Sequence, residues 1–345
     1  MSSAIGTLLP GPVLVTGGTG FVGRHLLASL RARSAPPPVR VLARSPEQAR
    51  RLLPDTALTI LPGDLTDPAS LASACEGVAT VFHGAAAMPG QPGAPSDLAG
   101  YRRINAEGTL ALARAAARAG AGRFVFLSST AAMGAPSQRV VDETTSCRPT
   151  SPYEVTKRAA EEALLALGAE TPMRITILRP CVIAGAGQRG GVLLKLFRLC
   201  RRGLFPVVGG RLDVQKPLVA VEDVVQALLR AGASEAPRSL YLVTSGERHS
   251  LREILTVAGR LVGRDRPFRA IPLPLARLGA ALTTPLARAA GIDPPLSPER
   301  LDLFLADRAI DIARARAELG YAPAHTALEP MLAQTHAWYR ESGQL

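Results

Sequence analysis

Tyr153 and Lys157 stand four residues apart in the stretch SPYEVTK, residues 151–157. The run EVTKRAAEEALLAL has helical character, and Pro152 suits the first turn of that helix. Residues at i and i+4 share a helix face, so the spacing places a phenol beside an ammonium. A free tyrosine, with a pKa near ~10, is a poor base at neutral pH. A neighbouring ammonium favours the phenolate and brings the group toward working pH for acid–base chemistry. Only three of the forty basic residues are lysines, the other two being Lys195 and Lys216. A compact ammonium on a flexible stem can hydrogen-bond and relay protons where a planar guanidinium fits less well. A lysine kept at 157, where arginine is the rule, is therefore a candidate for proton chemistry.

A second chemical signal lies near the start of the chain. The stretch TGGTGFVG, residues 16–23, carries glycines at 17, 20 and 23, between an apolar strand-like run and a helix-like one. Glycine permits the tight turn, the close approach of backbone N–H groups to a pyrophosphate, and close packing of helix on strand. The spacing predicts a dinucleotide cradle formed by Gly17, Thr19, Gly20, Phe21, Val22 and Gly23, with the helix N-terminus facing the phosphates. The next strand-like run, VRVLARS, ends in Ala43, Arg44 and Ser45, and no acid appears before Glu47. Folds that select NAD usually place Asp or Glu there for the ribose 2′-hydroxyl. A guanidinium at Arg44 can fork onto a 2′-phosphate, and Ser45 can add a hydroxyl. The expected cofactor is NADP, with NAD as the alternative.

These groups need elements to hold them. Short apolar runs alternate with helical stretches through the first half: VLVTG then 21–33, VRVLA then 46–53, LTILPGD then 67–75, VATVFHG then 104–119, RFVFLSS then 152–167, and RITILRP. That rhythm predicts βαβ units, a parallel sheet and a doubly wound α/β fold. Two loops interrupt it, at 88–97 and 132–152, both after strands that end at a carboxyl edge, where open sheets bind ligands. After about residue 184 the pattern changes. A basic amphipathic helix is expected near 191–203, a strand at YLVTSGE and a helix at 250–262. The last 75 residues read as helical pieces broken by prolines. The expected division is a dinucleotide-binding domain over 1–184 and a smaller, mostly helical substrate region over 185–345, interleaved with the sheet through segments near 217–245. The apolar segment 273–291, with Arg277 and Arg288, reads as a lid or core helix over the substrate pocket, or as a membrane-surface helix.

Composition narrows the classes. The chain has 345 residues, is 47% hydrophobic and carries a formal net charge of +12. The arginines are scattered, without a basic tail, an aromatic-interleaved run or zinc-finger spacing, so no nucleic-acid partner is expected. Cys75, Cys147, Cys181 and Cys200 form no CxxC pair and suggest neither metal nor disulfide framework. The first residues read as a strand leading into the glycine loop rather than as a signal peptide, and no run is apolar enough to span a membrane. A cytoplasmic location is expected.

With these motifs in hand, the chain resembles the extended short-chain dehydrogenase/reductase family, the NAD(P)-dependent epimerase/dehydratase group. The likeness rests on TGGTGFVG, GDLTD (63–67), VFHGAA (81–86), YRRINAEGTL (101–110), FVFLSSTAAMG (124–134), SPYEVTK, LRPCVIAGAG (178–187), PLVAVEDV (217–224) and LGYAP (319–323). The resemblance implies a Rossmann-type fold. It makes Ser129, with Thr130 as fallback, the residue that hydrogen-bonds the substrate oxygen, Tyr153 the acid–base group, and Lys157 its activator and ribose ligand. It gives Asp64 and Leu65 to the adenine, Ala85 and Ala86 to the diphosphate and ribose, and Pro180 to the nicotinamide end. Asn105 matches a residue that supports the active-site helix and strand; His83, on a buried strand, reads as structural. Nucleotide-sugar epimerases of the family often carry Asn where Val182 stands, while Lys216 lies where such enzymes place a diphosphate-binding Arg. The expected activity is an NADP-dependent ketoreductase or alcohol dehydrogenase acting on a small lipid, steroid-like or natural-product substrate. A nucleotide-sugar 4-epimerase, reductase or dehydratase is the alternative, and a non-catalytic NADP-sensing module is the third reading. Homodimers are common among such relatives, so a homodimer is expected.

Overall fold

The computed structural model describes residues 9–236, 239–289 and 307–345. Residues 1–8 of the N-terminal reading and residues 290–291 of the apolar segment lie outside the described residues. Seven parallel strands form the main sheet: β1 (Val13–Thr16), β2 (Val39–Ala43), β3 (Leu58–Pro62), β4 (Thr80–His83), β5 (Arg123–Leu127), β7 (Arg174–Pro180) and β11 (Ser239–Val243). Their spatial order is β3-β2-β1-β4-β5-β7-β11. The order reverses between β2 and β4, with β1 at the switch point, where doubly wound sheets open a ligand crevice.

The sheet is buried on both faces, as parallel sheets with crossover helices must be. Successive side chains of a strand point to opposite faces. Accordingly Val13 and Val15 join one core with Leu26, Leu27 and Leu30 of α1 (Phe21–Arg31) and Val224 and Leu228 of α8 (Val221–Ala233). Leu14 faces the other core, with Leu71 of α3 (Pro68–Cys75), Leu112 and Ala116 of α5 (Gly108–Arg118), and Ala160 and Leu164 of α6 (Pro152–Glu170). α5 continues from α4 (Leu98–Arg102) through a π-helical turn, Arg103–Glu107, so the helix expected from 104 starts six residues earlier. Asp97 caps that start by accepting from the Gly100 N–H. The N-terminus of α6 follows local chemistry: Ser151 and Glu154 form a reciprocal capping box, with Pro152 in the first turn.

The C-terminal half builds a third core. Phe197 and Leu193 of α7 (Gly191–Arg202), Leu255 and Ala258 of α9 (Leu251–Val262), and Leu332 and Tyr339 of the last helix, Leu328–Glu341, meet there. Two-stranded pairs tie this half together. β8 (Val182–Ala184) pairs with β10 (Leu218–Ala220), and β9 (Phe205–Val208) with β12 (Phe268–Ile271). β6 (Val140–Val141), inside the second long loop where no strand was expected, pairs with β13 (Ala309–Ile310). Helix α10 (Leu273–Ala289) buries the small side chains Ala276, Ala280 and Thr284, and exposes Leu275, Leu278, Leu282 and Leu286. Among the described residues no helix is long and apolar enough to cross a membrane.

Candidate active site

The glycine loop runs from the end of β1 into α1, and its geometry explains its composition. Gly17 has φ +71°, a left-handed conformation that favours glycine, and a Cβ there would stand 2.6 Å from the Gly84 carbonyl carbon. At Gly23 a Cβ would fall 2.1 Å from the Gly17 oxygen. The turn is closed by Gly20 N–H donating to Gly17 O at 3.0 Å. Gly20, at the N-cap of α1, has no side chain to satisfy the free N–H groups of the first turn. Such a helix N-terminus suits a phosphate, and these residues fit the pyrophosphate of a dinucleotide. Thr19, Phe21 and Val22 are partly buried in the same turn.

The residues expected around the rest of the cofactor gather along one edge of the sheet. Arg44 is exposed just after β2. Ser45 caps α2 (Pro46–Leu52), its Oγ accepting from Gln48 N–H at 3.3 Å. Asp64 follows β3. Its burial raises the carboxyl pKa, but the Thr66 hydroxyl and amide, with Arg44 and Arg103, hold it below the ordinary value. One Asp64 oxygen accepts from both Thr66 groups, at 2.7 and 2.8 Å. Leu65 is buried beside it. Ala85 and Ala86 follow β4, and Ala85 N–H donates to Thr16 Oγ1 at 3.3 Å. Pro180 closes β7, buried, and Val182, the first residue of β8, is exposed.

The acid–base pair lies at the start of α6, against the carboxyl end of β5. Ser129 lies two residues beyond β5 and opens a short 3₁₀ turn, Thr130–Met133, its Oγ accepting from Ala131 N–H at 3.1 Å. Alternation separates the two serines. Ser128 points into the core, where its hydroxyl donates to Glu161 at 2.5 Å, and Ser129 faces the Tyr153 phenol. Burial pushes the Tyr153 phenol up to about 12, the Ser129 hydroxyl pulls it down, and the neighbouring Tyr101 pushes it up. Lys157, 3% exposed, donates to Leu127 O at 2.9 Å, and its ammonium lies 4.3 Å from the Phe126 ring centre. Burial lowers it to about 8, while Glu161 one turn further on opposes the shift.

Sequence reasoning missed the support beneath this pair. Glu161 is 0% exposed and takes two hydrogen bonds from Arg179 of β7, at 2.8 and 2.5 Å, besides the one from Ser128. The signal was present: Glu161 repeats the four-residue step from Tyr153 to Lys157, and Arg179 is the arginine of the LRP motif. Asn105 accepts from Ala87 N–H at 2.7 Å and donates to Ala87 O at 3.0 Å and Thr156 Oγ1 at 3.4 Å, joining the loop after β4 to α6. His83 is fully buried between Thr16 Oγ1 (2.6 Å) and Thr109 Oγ1 (2.8 Å). Burial, with Lys157 nearby, drives its pKa down to about 3, so it is neutral at physiological pH. Arg24 and His25 of α1 reach across to Gly187 O and Ala186 O, each at 2.8 Å, and fix the glycine-loop helix against the segment after β8.

Lys216 stands just before β10. Its pKa is lowered to about 8, first by burial and then by Arg308 and Arg211, with Asp307 opposing them. Thr130 is partly buried in the turn after Ser129.

A parallel doubly wound sheet, a glycine cradle at its switch point and a Tyr-Lys pair on the adjoining helix define a dinucleotide-dependent enzyme class. The family described as "NAD dependent epimerase/dehydratase family" matches residues 13–242, and the chain belongs to it. It is an NAD(P)-dependent enzyme of the extended short-chain dehydrogenase/reductase type. The chain is 32% identical over 330 residues to a 3 beta-hydroxysteroid dehydrogenase/Delta 5→4-isomerase of Mycobacterium tuberculosis, covering 92% of this chain and 87% of that protein. It is 34% identical over 316 residues to the 4-hydroxy-2-methyl-3-oxo-4-farnesyl-3,4-dihydroquinoline-1-oxide ketoreductase of Stigmatella aurantiaca, covering 89% and 91%. Among solved structures it is similar to MoeE5 in complex with UDP-glucuronic acid and NAD, with a TM-score of 0.72, 29% identity, and coverage of 96% and 100%.

Proposed function

We propose that this protein is an NADP-dependent reductase that converts an uncharged carbonyl of a lipid, steroid-like or natural-product substrate to an alcohol. The observation that carries the reading is the pairing of the Tyr153 phenol with the Ser129 hydroxyl, with a buried Lys157 one helical turn on from Tyr153. The bound nicotinamide supplies the hydride. Ser129 orients the carbonyl oxygen, and Tyr153 gives that oxygen its proton. A phenol pushed up to about 12 is fully protonated at neutral pH, the form a reductase needs as the carbonyl gains charge. Lys157, anchored on Leu127 O and one helical turn on from Tyr153, supplies the positive charge that stabilises the phenolate left after transfer. Glu161 and Arg179 position Lys157 and the strand end that carries Ser129. The names of the steroid dehydrogenase and the ketoreductase support the substrate class. Arg44, with no acid at the end of β2, supports NADP.

Lys216, with the Arg211 charge close by, favours a second reading: a nucleotide-sugar epimerase or dehydratase in which Lys216 holds a diphosphate. Such an enzyme reduces and reoxidises one tightly held cofactor. Absorbance and mass analysis of the purified protein separates the two. An empty site that fills on addition of NADPH is expected, whereas stoichiometric NAD(H) carried through purification would overturn the reductase reading.

A further inference from the structure

A cavity of about 290 Å³ opens between the loop 244–249 and the segment 308–312. None of Ser129, Tyr153 and Lys157 lines it. Its volume is at the low end of ligand pockets, roughly 300–1,000 Å³, which suits a small molecule and not a dinucleotide. Gln215 and Pro217 line it while Lys216, between them, does not.

Its walls are fixed by backbone pairing. Ala309 and Ile310 pair with Val140 and Val141, Gln215 N–H donates to Asp307 at 2.8 Å, and Lys216 N–H donates to His249 O at 2.8 Å. Three polar atoms of its lining residues are left unsatisfied. Among the described residues, Gln215 Oε1, His249 Nε2 and Arg308 Nε are buried without a hydrogen-bond partner, and all three residues are among those that line this one cavity. Buried polar atoms in folded proteins are nearly always paired, so three orphans around one space mark a missing partner. His249 is 8% exposed. Burial holds its ring below the ordinary histidine value, which leaves a neutral imidazole able to accept at Nε2. Gln215 spends its amide N–H on Asp213 O at 3.2 Å, which leaves Oε1 as an acceptor. Arg308 donates from one terminal nitrogen to Gly134 O at 2.8 Å and leaves its Nε–H without a partner. Arg248 and Arg316 add two guanidiniums at the exposed mouth, and Glu247 and Asp311 also line it.

The demand these groups make is specific. Two acceptors require hydroxyl donors, and three guanidiniums outnumber two carboxylates and require an anion. We propose that this cavity is a second ligand site, separate from the hydride-transfer centre, for a small hydroxylated anion of the sugar-phosphate class. Arg248, Arg308 and Arg316 receive the phosphate, and Gln215 Oε1 and His249 Nε2 read the hydroxyls.

Titration calorimetry on the full chain, saturated with NADPH so that the dinucleotide cradle is filled, tests this with glucose 6-phosphate, ribose 5-phosphate, glucose and inorganic phosphate. At least one sugar phosphate is expected to bind saturably, at least tenfold tighter than glucose or inorganic phosphate. Arg248→Ala combined with Arg316→Ala, both exposed positions that leave the core intact, is expected to weaken that binding about tenfold or more and to leave NADPH turnover unchanged. Gln215→Leu is expected to weaken the sugar phosphate and spare inorganic phosphate. The proposal is overturned if neither sugar phosphate binds, if inorganic phosphate binds as tightly as they do, or if the double arginine variant binds like the wild type.

Discussion

At the glycine loop the chain closes on itself within eight residues, Gly20 N–H meeting Gly17 O and Gly23 packing on the same carbonyl. At Arg308 the chain closes over 174 residues, one guanidinium donating to Gly134 O. The glycine turn is therefore built from neighbours in sequence, the Arg308 contact from segments that meet only in the fold. A local motif announces itself in a string of residues because backbone geometry alone demands glycine at each place. A long-range contact leaves no such trace, since any of many arginines could have made it. The Tyr153–Lys157 pair belongs to both kinds. Its spacing is local, while the charge on Lys157 is set by burial and, against it, by Glu161, which Arg179 of β7 holds in place.

Breaking the local half of that pair should have the largest effect. Tyr153→Phe removes the proton donor and keeps the ring, and a positioned general acid is worth ~10²–10⁴ in rate. Turnover should fall by that factor with NADPH affinity nearly unchanged, as steady-state rates and a fluorescence titration would reveal; near-normal turnover would remove Tyr153 from the chemistry. Breaking the long-range half comes next. Glu161→Leu strands Arg179 as an uncompensated buried charge, a loss of about 3–5 kcal/mol, to be read from urea unfolding. Unfolding midpoints that match the wild type would show that the Arg179 pair stabilises nothing. The milder Glu161→Gln sharpens the point. Glu161 raises the Lys157 pKa toward 10.5 against burial, which has lowered it to about 8. Without that carboxylate the ammonium deprotonates at lower pH, so the alkaline limb of ketone reduction should move from about pH 8 downward. A limb that stays put would separate Glu161 from the proton chemistry.

A smaller effect is expected at the cofactor edge. A charge-assisted hydrogen bond is worth about 1.5–3 kcal/mol, so Arg44→Ala should weaken NADPH by roughly tenfold to a hundredfold and NADH little. Equal losses for both cofactors, or a wild type that already prefers NADH, would reduce Arg44 to a surface arginine. The smallest is at Lys216. Lys216→Ala should leave KM for an uncharged ketone within about twofold, because a neutral substrate gains little from a cation. A rise in KM confined to UDP- or dTDP-sugars would favour the second reading.

What the sequence made legible follows the same division. The seven runs of the main sheet, the glycine cradle and the helix start at Pro152 are products of periodicity and local backbone geometry, and they could be read in order. The helix at 98–118 was read six residues short, because Asp97 supplies its cap just past a proline- and glycine-rich loop and a π turn then shifts the phase. The strand at Val140–Val141 was invisible, since two residues carry no period and their partner lies near residue 309. Lys157 was expected to draw the phenol toward neutrality. In the structure burial dominates, and Ser129 is the group that pulls the phenol down. Desolvation depends on what packs around a side chain, and no spacing within SPYEVTK carries that information.

The central claim is hydride transfer to an uncharged carbonyl, and consumption of NADPH measures it most directly. The purified wild type should oxidise NADPH in the presence of a steroid or farnesylated ketone, each molecule of cofactor matched by one of alcohol, and should leave UDP-glucose unchanged. Interconversion of UDP-sugars without net NADPH consumption, alongside no turnover of any ketone, would contradict the account.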